Sequence, residues 1–214
     1  MKIVVINGSP RKKWNTSRLL ESFAEGMKST GEELEIKNIN VYDYNFTGCK
    51  SCFACKLKKF EGETPECRVK DEIHDLLVDA RNADAIVIGS PIYFCDLSAQ
   101  VKAFIERLMY PGNSAKPIPS VFVYTSNAPE DAFEKYIEAS VSIIEKYMEG
   151  NFGVYPDKIY AYDTYQRDNE EIYKKSSHDM SYKKIRKETQ FPIDLKNAYD
   201  GGIRFINKIK EMEI

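Results

Sequence analysis

The chain has 214 residues, enough for one α/β domain that buries about 70% of its unfolded surface. Apolar residues make up 43%, charged residues 30%, and the net charge is -2 at pH 7. This is globular composition without the basic field that nucleic acid or an anionic membrane surface would need. No apolar run approaches the ~20 residues of a membrane span, and "MKIVVI" ends at Asn7-Gly8, too short for a secretory core, so a cytoplasmic protein is expected.

Residues 2–7 (KIVVIN) are a β-branched run, which predicts a buried strand. Gly8, Ser9 and Pro10 turn the chain. Leu19, Leu20, Phe23 and Met27 then recur at helical spacing, with Gly31 beyond them as a stop. "ELEIKNINVYD" (33–43) alternates as a second strand. Residues 47–68 form a cysteine-bearing loop, and "DEIHDLLVDARN" (71–82) reads as a helix. "ADAIVIGSP" (83–91) repeats the strand-then-turn pattern of the first segment, and Val101, Ile105 and Leu108 mark one face of the helix after it. "PSVFVYTSN" (119–127) is a further strand, followed by a long helix over roughly 130–149. "GVYPDKIYAYD" (153–163) supplies a last strand. Tyr199, Ile203, Ile206 and Ile209 mark a final helix.

Strand and helix alternate five times, which predicts a parallel sheet with helices on both faces. Ligands bind such sheets beyond the carboxyl ends of the strands, where the strand order reverses. Three strands end there in small polar turns: "NGSPR", "GSPIYF" and "TSNAP". The whole chain is expected to be one domain, with residues 163–190 as a charged addition. That segment is poor in aliphatic side chains and holds Tyr165, Tyr173 and Tyr182. It reads either as a solvated helix or surface insertion, or as a lid or dimer arm.

The stretch "INGSPRKKWNTSRLL" (6–20) leads from a strand into a helix. A helix start has free N–H groups and partial positive charge, so it attracts anions. The hydroxyls of Ser9, Thr16 and Ser17, the amide of Asn15 and the guanidinium of Arg11 could complete a phosphate site. No G-x-G-x-x-G follows the strand and no G-x-x-x-x-G-K-[ST] is present, which disfavours a dinucleotide loop and a nucleoside-triphosphate loop. A loop held by hydroxyls suits one terminal monophosphate. The alternative is that Asn15, Thr16 and Ser17 merely cap the helix.

Together "INGSPRKKWNTSRLL", "ADAIVIGSPIYFCDLSAQVKAFIERL" and "GCKSCFACKLKKFEGETPECRVKDEI" resemble the flavodoxin-like NADPH-dependent FMN reductase family, especially its iron–sulfur flavoprotein branch. The resemblance covers residues 1 to about 127. It implies a three-layer sandwich around a five-stranded parallel sheet of order 2-1-3-4-5. It assigns the FMN phosphate to Ser9, Arg11, Asn15, Thr16 and Ser17. It lays Pro91, Ile92, Tyr93 and Phe94 along the flavin ring and brings Thr125, Ser126 and Asn127 near it. Trp14 departs from the pattern, since relatives commonly carry glycine there. It could cover the phosphate, make a dimer contact or stand exposed. Tyr93 and Phe94 could alternatively be core aromatics, and Cys95 reads as a small buried residue.

Cys49, Cys52 and Cys55 have C-x2-C-x2-C spacing, and Cys67 follows after eleven residues. A tight thiolate triplet with a remote fourth suits a [4Fe–4S] cluster. Four thiolates can also hold zinc, and in a reducing compartment the cysteines can simply stay reduced. The insertion "KLKKFEGETPE" places the fourth cysteine farther away than iron–sulfur flavoproteins do. His74 and His178 receive no role.

The resemblance implies an FMN-dependent oxidoreductase that passes electrons from NAD(P)H to a quinone, another small molecule or a protein. It also implies a homodimer or homotetramer. The flavin itself accepts the hydride, so no catalytic side chain is named. An electron carrier with FMN and a cluster, working between protein partners, is the alternative. An FMN-free α/β binding domain is the third reading.

Overall fold

The computed structural model describes residues 1–167, 173 and 179–212. The chain runs β1 (Lys2–Asn7), α1 (Asn15–Lys28), β2 (Glu35–Asn40), α2 (His74–Arg81), β3 (Ala85–Tyr93), β4 (Asp96–Leu97) and α3 (Ala99–Met109). It continues β5 (Ser120–Thr125), α4 (Glu130–Tyr136), α5 (Glu138–Phe152), β6 (Asp157–Ala161), α6 (Met180–Thr189) and α7 (Phe191–Glu211). Among the described residues no helix is long and apolar enough to cross a membrane.

The parallel strands lie in the order β2-β1-β3-β5-β6. Leaving β4 aside, this is the 2-1-3-4-5 order of flavodoxin-like sheets. Side chains alternate across the sheet with period two. Val4, Ile6, Ile86, Ile88, Phe122 and Tyr124 pack into the core beneath α2, α3 and α5. Ile3, Val5, Val87, Val121 and Val123 pack into the other core, beneath α1 and α7. Because both faces are covered, the central strands read as continuous apolar runs rather than alternating ones.

Among the described residues six strands are present where five were expected. The sixth, β4, is a two-residue return that pairs antiparallel with the end of β3, Ile92 beside Leu97 and Tyr93 beside Asp96. Phe94 and Cys95 make the turn with φ of 49° and 62°. Both central residues being left-handed is the geometry of a tight hairpin turn. Such turns usually announce themselves with Asn or Gly, and neither is present. The helix expected over 130–149 is two helices, with a break at Ile137, which is buried. The second helix region begins at His74, not Asp71, and the Asp71 carboxylate accepts two hydrogen bonds from Arg107 at 2.5 and 3.0 Å.

Part of the charged segment is α6, started by Asp179, whose carboxylate accepts from the N–H groups of Ser181 and Tyr182. Residues 168–172 and 174–178, His178 included, lie outside the described residues. In the first turn of α7, Asp194 is 6% exposed and accepts from Gln190 Nε2 at 2.9 Å. Burial pushes its carboxyl up, against the pull of the Gln190 hydrogen bond and the Arg186 charge. The folded state therefore holds this proton more tightly than the unfolded chain, and stability is lost as pH rises above about 4. Asp194→Asn should have a higher Tm than the parent at pH 8, and the gap should close below about pH 4. A gap that does not vary with pH in thermal melts would contradict this.

Candidate cofactor cleft and cysteine pocket

The carboxyl ends of β1 and β3 approach closely beyond the sheet. Gly8 N–H donates to the Gly89 carbonyl at 2.7 Å, and Ser98 Oγ donates to the Gly8 carbonyl at 2.8 Å. A Cβ on Gly8 would sit 2.0 Å from Val101 Cγ2, so only glycine permits this approach.

The loop after Gly8 is tied by short polar side chains. Asn7 Oδ1 accepts from Ser9 N–H at 2.9 Å, and Asn7 Nδ2 donates to Ser17 Oγ at 2.8 Å. Arg11 N–H donates to Ser9 Oγ at 3.1 Å. The first N–H groups of α1 have no intrahelical partner, as at every helix start, and Trp14 supplies no side-chain cap.

The three residues that could have capped α1 are engaged elsewhere. Asn15 Nδ2 donates to the Tyr165 carbonyl at 2.8 Å. Thr16 Oγ1 shares a hydrogen bond with Thr125 Oγ1 at 2.7 Å. Ser17 Oγ meets Asn7 and donates to the Arg11 carbonyl at 3.3 Å. The helix start is left open to an anion, which argues against simple capping.

Ser9, Arg11, Asn15, Thr16, Pro91, Ile92, Tyr93 and Thr125 all line one open cleft of about 170 Å³. The Arg11 guanidinium stacks on the Trp14 indole, 3.4 Å from the ring centroid, and Trp14 also lines the cleft. At the rim, burial pushes the Tyr93 phenol up; Tyr42 adds to the effect and Arg11 opposes it. Tyr93 is therefore a neutral hydrogen-bonding group at physiological pH.

Four of the expected residues lie outside this cleft. Ser17 is turned toward Asn7. Phe94 stands fully exposed at the tip of the β3–β4 turn, and Cys95 beside it is exposed, not buried as its small apolar character suggested. The backbone there must turn sharply, which pushes both side chains outward. Ser126 and Asn127 shape the wall from behind. The Ser126 carbonyl accepts from Thr164 N–H at 2.9 Å and Thr164 Oγ1 at 3.0 Å, and the Asn127 carbonyl accepts from Lys183 Nζ.

Thr164 and Gln166 complete the cleft and were not anticipated. They follow β6, whose carboxyl end lies beside that of β5. The rule that ligands sit beyond strand carboxyl ends pointed to them, but their charged surroundings hid the signal.

A second, small pocket of about 20 Å³ is lined by Cys49, Cys52, Cys55 and Cys67 with Phe53, Arg107 and Tyr110. Its floor is the last turns of α3. The Cys49 N–H donates to Glu106 Oε2 at 3.0 Å, and Lys56 Nζ donates to the Pro111 carbonyl at 2.9 Å. Arg107 is only 2% exposed and donates from Nε to Cys67 Sγ at 3.4 Å. Burial pushes the Cys55 thiol up, with Lys56 opposing. The long insertion does not prevent Cys67 from joining the triplet's pocket. Among the described residues no three His, Cys, Asp or Glu side chains converge as a ready-made metal site. The donor set itself, four thiols in a mainly apolar pocket, fits a soft metal or an iron–sulfur cluster.

The sequence pattern of the NADPH-dependent FMN reductase family matches residues 1–132. The chain belongs to that family. An iron–sulfur flavoprotein of Archaeoglobus fulgidus is 45% identical over 107 residues, 50% of this chain and 48% of that protein. A second iron–sulfur flavoprotein from the same organism is 30% identical over 168 residues, 74% of this chain and 72% of that protein. The chain thus spans about half the length of the first relative and nearly three quarters of the second. Among solved structures, an NAD(P)H:quinone oxidoreductase from Methanothermobacter marburgensis superposes with a TM-score of 0.65 at 18% identity, covering 95% of this chain and 98% of that one. At that identity the likeness is one of fold. The family's reach stops near residue 132, so Thr164 and Gln166 lie in the part of the chain it does not cover.

Proposed function

We propose that this protein binds FMN in the cleft at the β1–β3 switch point and acts as an NAD(P)H-dependent oxidoreductase. The observation that carries this reading is the uncapped start of α1, with Thr16 in its first turn, which lines one open cleft together with Ser9 and Arg11. Serine and threonine hydroxyls, backbone N–H groups and one guanidinium are the donor set for a phosphate monoester. Pro91, Ile92 and Tyr93 offer a flat wall for a ring system. When bound, FMN supplies the hydride and electron chemistry. The side chains have only to hold, orient and shield it, and no acid–base residue is required.

The electrons go to a quinone, another small molecule or a protein acceptor. The chain works in the cytoplasm as one cofactor-binding unit that assembles as a homodimer or homotetramer. Exposed Ile143 and Tyr147, one turn apart on α5, support self-association.

Trp14 is the one tryptophan in the sequence and lines the cleft, so FMN binding should quench its emission. Anaerobic protein should show a flavin spectrum that NADPH bleaches. A protein that stays colourless after incubation with FMN ends this reading. Arg11→Ala removes a charged hydrogen bond and should weaken FMN binding by about 1.5–3 kcal/mol, roughly 10- to 150-fold. An unchanged Kd in a flavin-fluorescence titration would remove Arg11 from the phosphate site.

A second reading is favoured by the shared cysteine pocket: a carrier that moves electrons between FMN, a [4Fe–4S] cluster and protein partners. Cys49, Cys52, Cys55 and Cys67 would hold the cluster, and Arg107 would hydrogen-bond the Cys67 sulfur. A flavin that NADPH bleaches only when a partner protein is added would favour the carrier over the reductase.

A further inference from the structure

Two lysines of α6 grip the segment that forms the far wall of the cleft. Lys183 is 4% exposed. Its ammonium donates to Asp163 Oδ1 at 2.8 Å and to the Asn127 carbonyl. Asp163 is itself only 9% exposed, so both charges of this pair are withdrawn from water. One turn along α6, the Lys187 ammonium lies 5.1 Å from the centroid of the Tyr165 ring. The spacing of four residues puts both lysines on one side of the helix.

The segment between these grips, residues 163–166, is fastened at both ends. Asp163 N–H donates to the Ala128 carbonyl at 3.1 Å, and the Tyr165 carbonyl accepts from Asn15 at the start of α1. Thr164 and Gln166 face the cleft from it. A chain of contacts therefore runs from α6, through Asp163 and Tyr165, to the helix start that faces the cofactor.

We infer that α6 is a clamp, and that Lys183 and Lys187 are positioning residues that hold residues 163–166 against the bound cofactor. The inference rests on the FMN reading above. The composition of α6 gives the reason for a clamp rather than a core element. α6 is poor in apolar side chains, so it cannot dock by apolar burial alone, and specific charge contacts define its seat. A buried ion pair fixes one geometry more than it adds stability, because removing two charges from water offsets most of their attraction. A buried aspartate that loses its lysine must seek water, and the segment would then leave the cleft.

The test uses the full-length protein with FMN bound and measures the rate of FMN release on dilution, beside the melting temperature of the FMN-free protein. Lys183→Met keeps the aliphatic stem and removes the charge. It should speed release at least tenfold in protein that is fully folded at the assay temperature. Lys187→Ala, at an exposed position, should speed release about two- to fivefold with little change in melting temperature. A lower melting temperature with unchanged FMN release in Lys183→Met would make the pair purely structural and overturn the clamp. If Lys183→Met does not fold, the Lys187→Ala result decides, and an unchanged release rate there overturns the inference. A parent protein that never retains FMN would instead defeat the cofactor reading itself.

Discussion

If the cysteine pocket holds the proposed cluster, Cys52→Ser is expected to reduce the iron content of anaerobically purified protein to near zero while FMN binding stays intact. Serine presents a hard oxygen that remains protonated at neutral pH, and iron–sulfur clusters require soft thiolates. Cys52 lines the same pocket as Cys49, Cys55 and Cys67, so losing one donor should open the cluster to solvent. The cleft should not notice. Its residues come from the start of α1 and from beyond the ends of β1, β3, β5 and β6, while the cysteines sit at the far end of α3. From Ser98 to Arg107 the helix advances about 1.5 Å per residue, which separates the two sites by roughly 14 Å. The measurements are iron and sulfide content, and the broad brown absorbance beneath the flavin bands. A brown band that survives in Cys52→Ser would exclude this residue as a ligand. A parent protein with bound zinc and no iron would identify the pocket as a structural zinc site.

Gly26→Ala is expected to destabilise the fold by about 3 kcal/mol, lowering Tm by roughly 6–12 °C. Helix propensity alone gives the opposite sign, since alanine is better than glycine inside a helix by about 1 kcal/mol. Packing decides. A Cβ on Gly26 would lie 1.9 Å from the Tyr199 carbonyl oxygen, and one on Gly202 would lie 2.1 Å from the Phe23 carbonyl oxygen. Each glycine lets the backbone of α1 or α7 meet the other directly. The obstacle is main chain, so no side-chain rotation can make room. Because α1 also carries Asn15 and Thr16, a displaced α1 should weaken FMN binding as well. A melting midpoint equal to or above that of the parent would show that the helices can part at little cost.

Residues 2–7, 83–91 and 119–127 declared themselves as strands through continuous β-branched runs, because a strand covered on both faces has no polar side to display. The phosphate loop and the cysteine triplet were legible for a related reason. Their chemistry depends on residue types set close together in sequence, and short spacing survives without knowledge of the fold.

Contacts between distant segments left no such trace. Nothing around Gly26 marks it as the seat of a helix crossing, and nothing near "AYDTYQ" marks Thr164 and Gln166 as part of the cleft. The pairing of Phe94 with Cys95 in a left-handed turn has no glycine to announce it. Cys67 is separated from the triplet by eleven residues, and only the path of its loop over α3 brings it back beside Arg107. Sequence by itself determined the class of sheet, the polar loop leading into α1 and the thiol set, because each follows from local pattern. Tertiary structure alone decided which hydroxyls face the cleft, which wall closes it and which lysines hold that wall. Those outcomes depend on groups as far apart as Asn15 and Tyr165 meeting in space, and the periodicity of either segment is blind to the other.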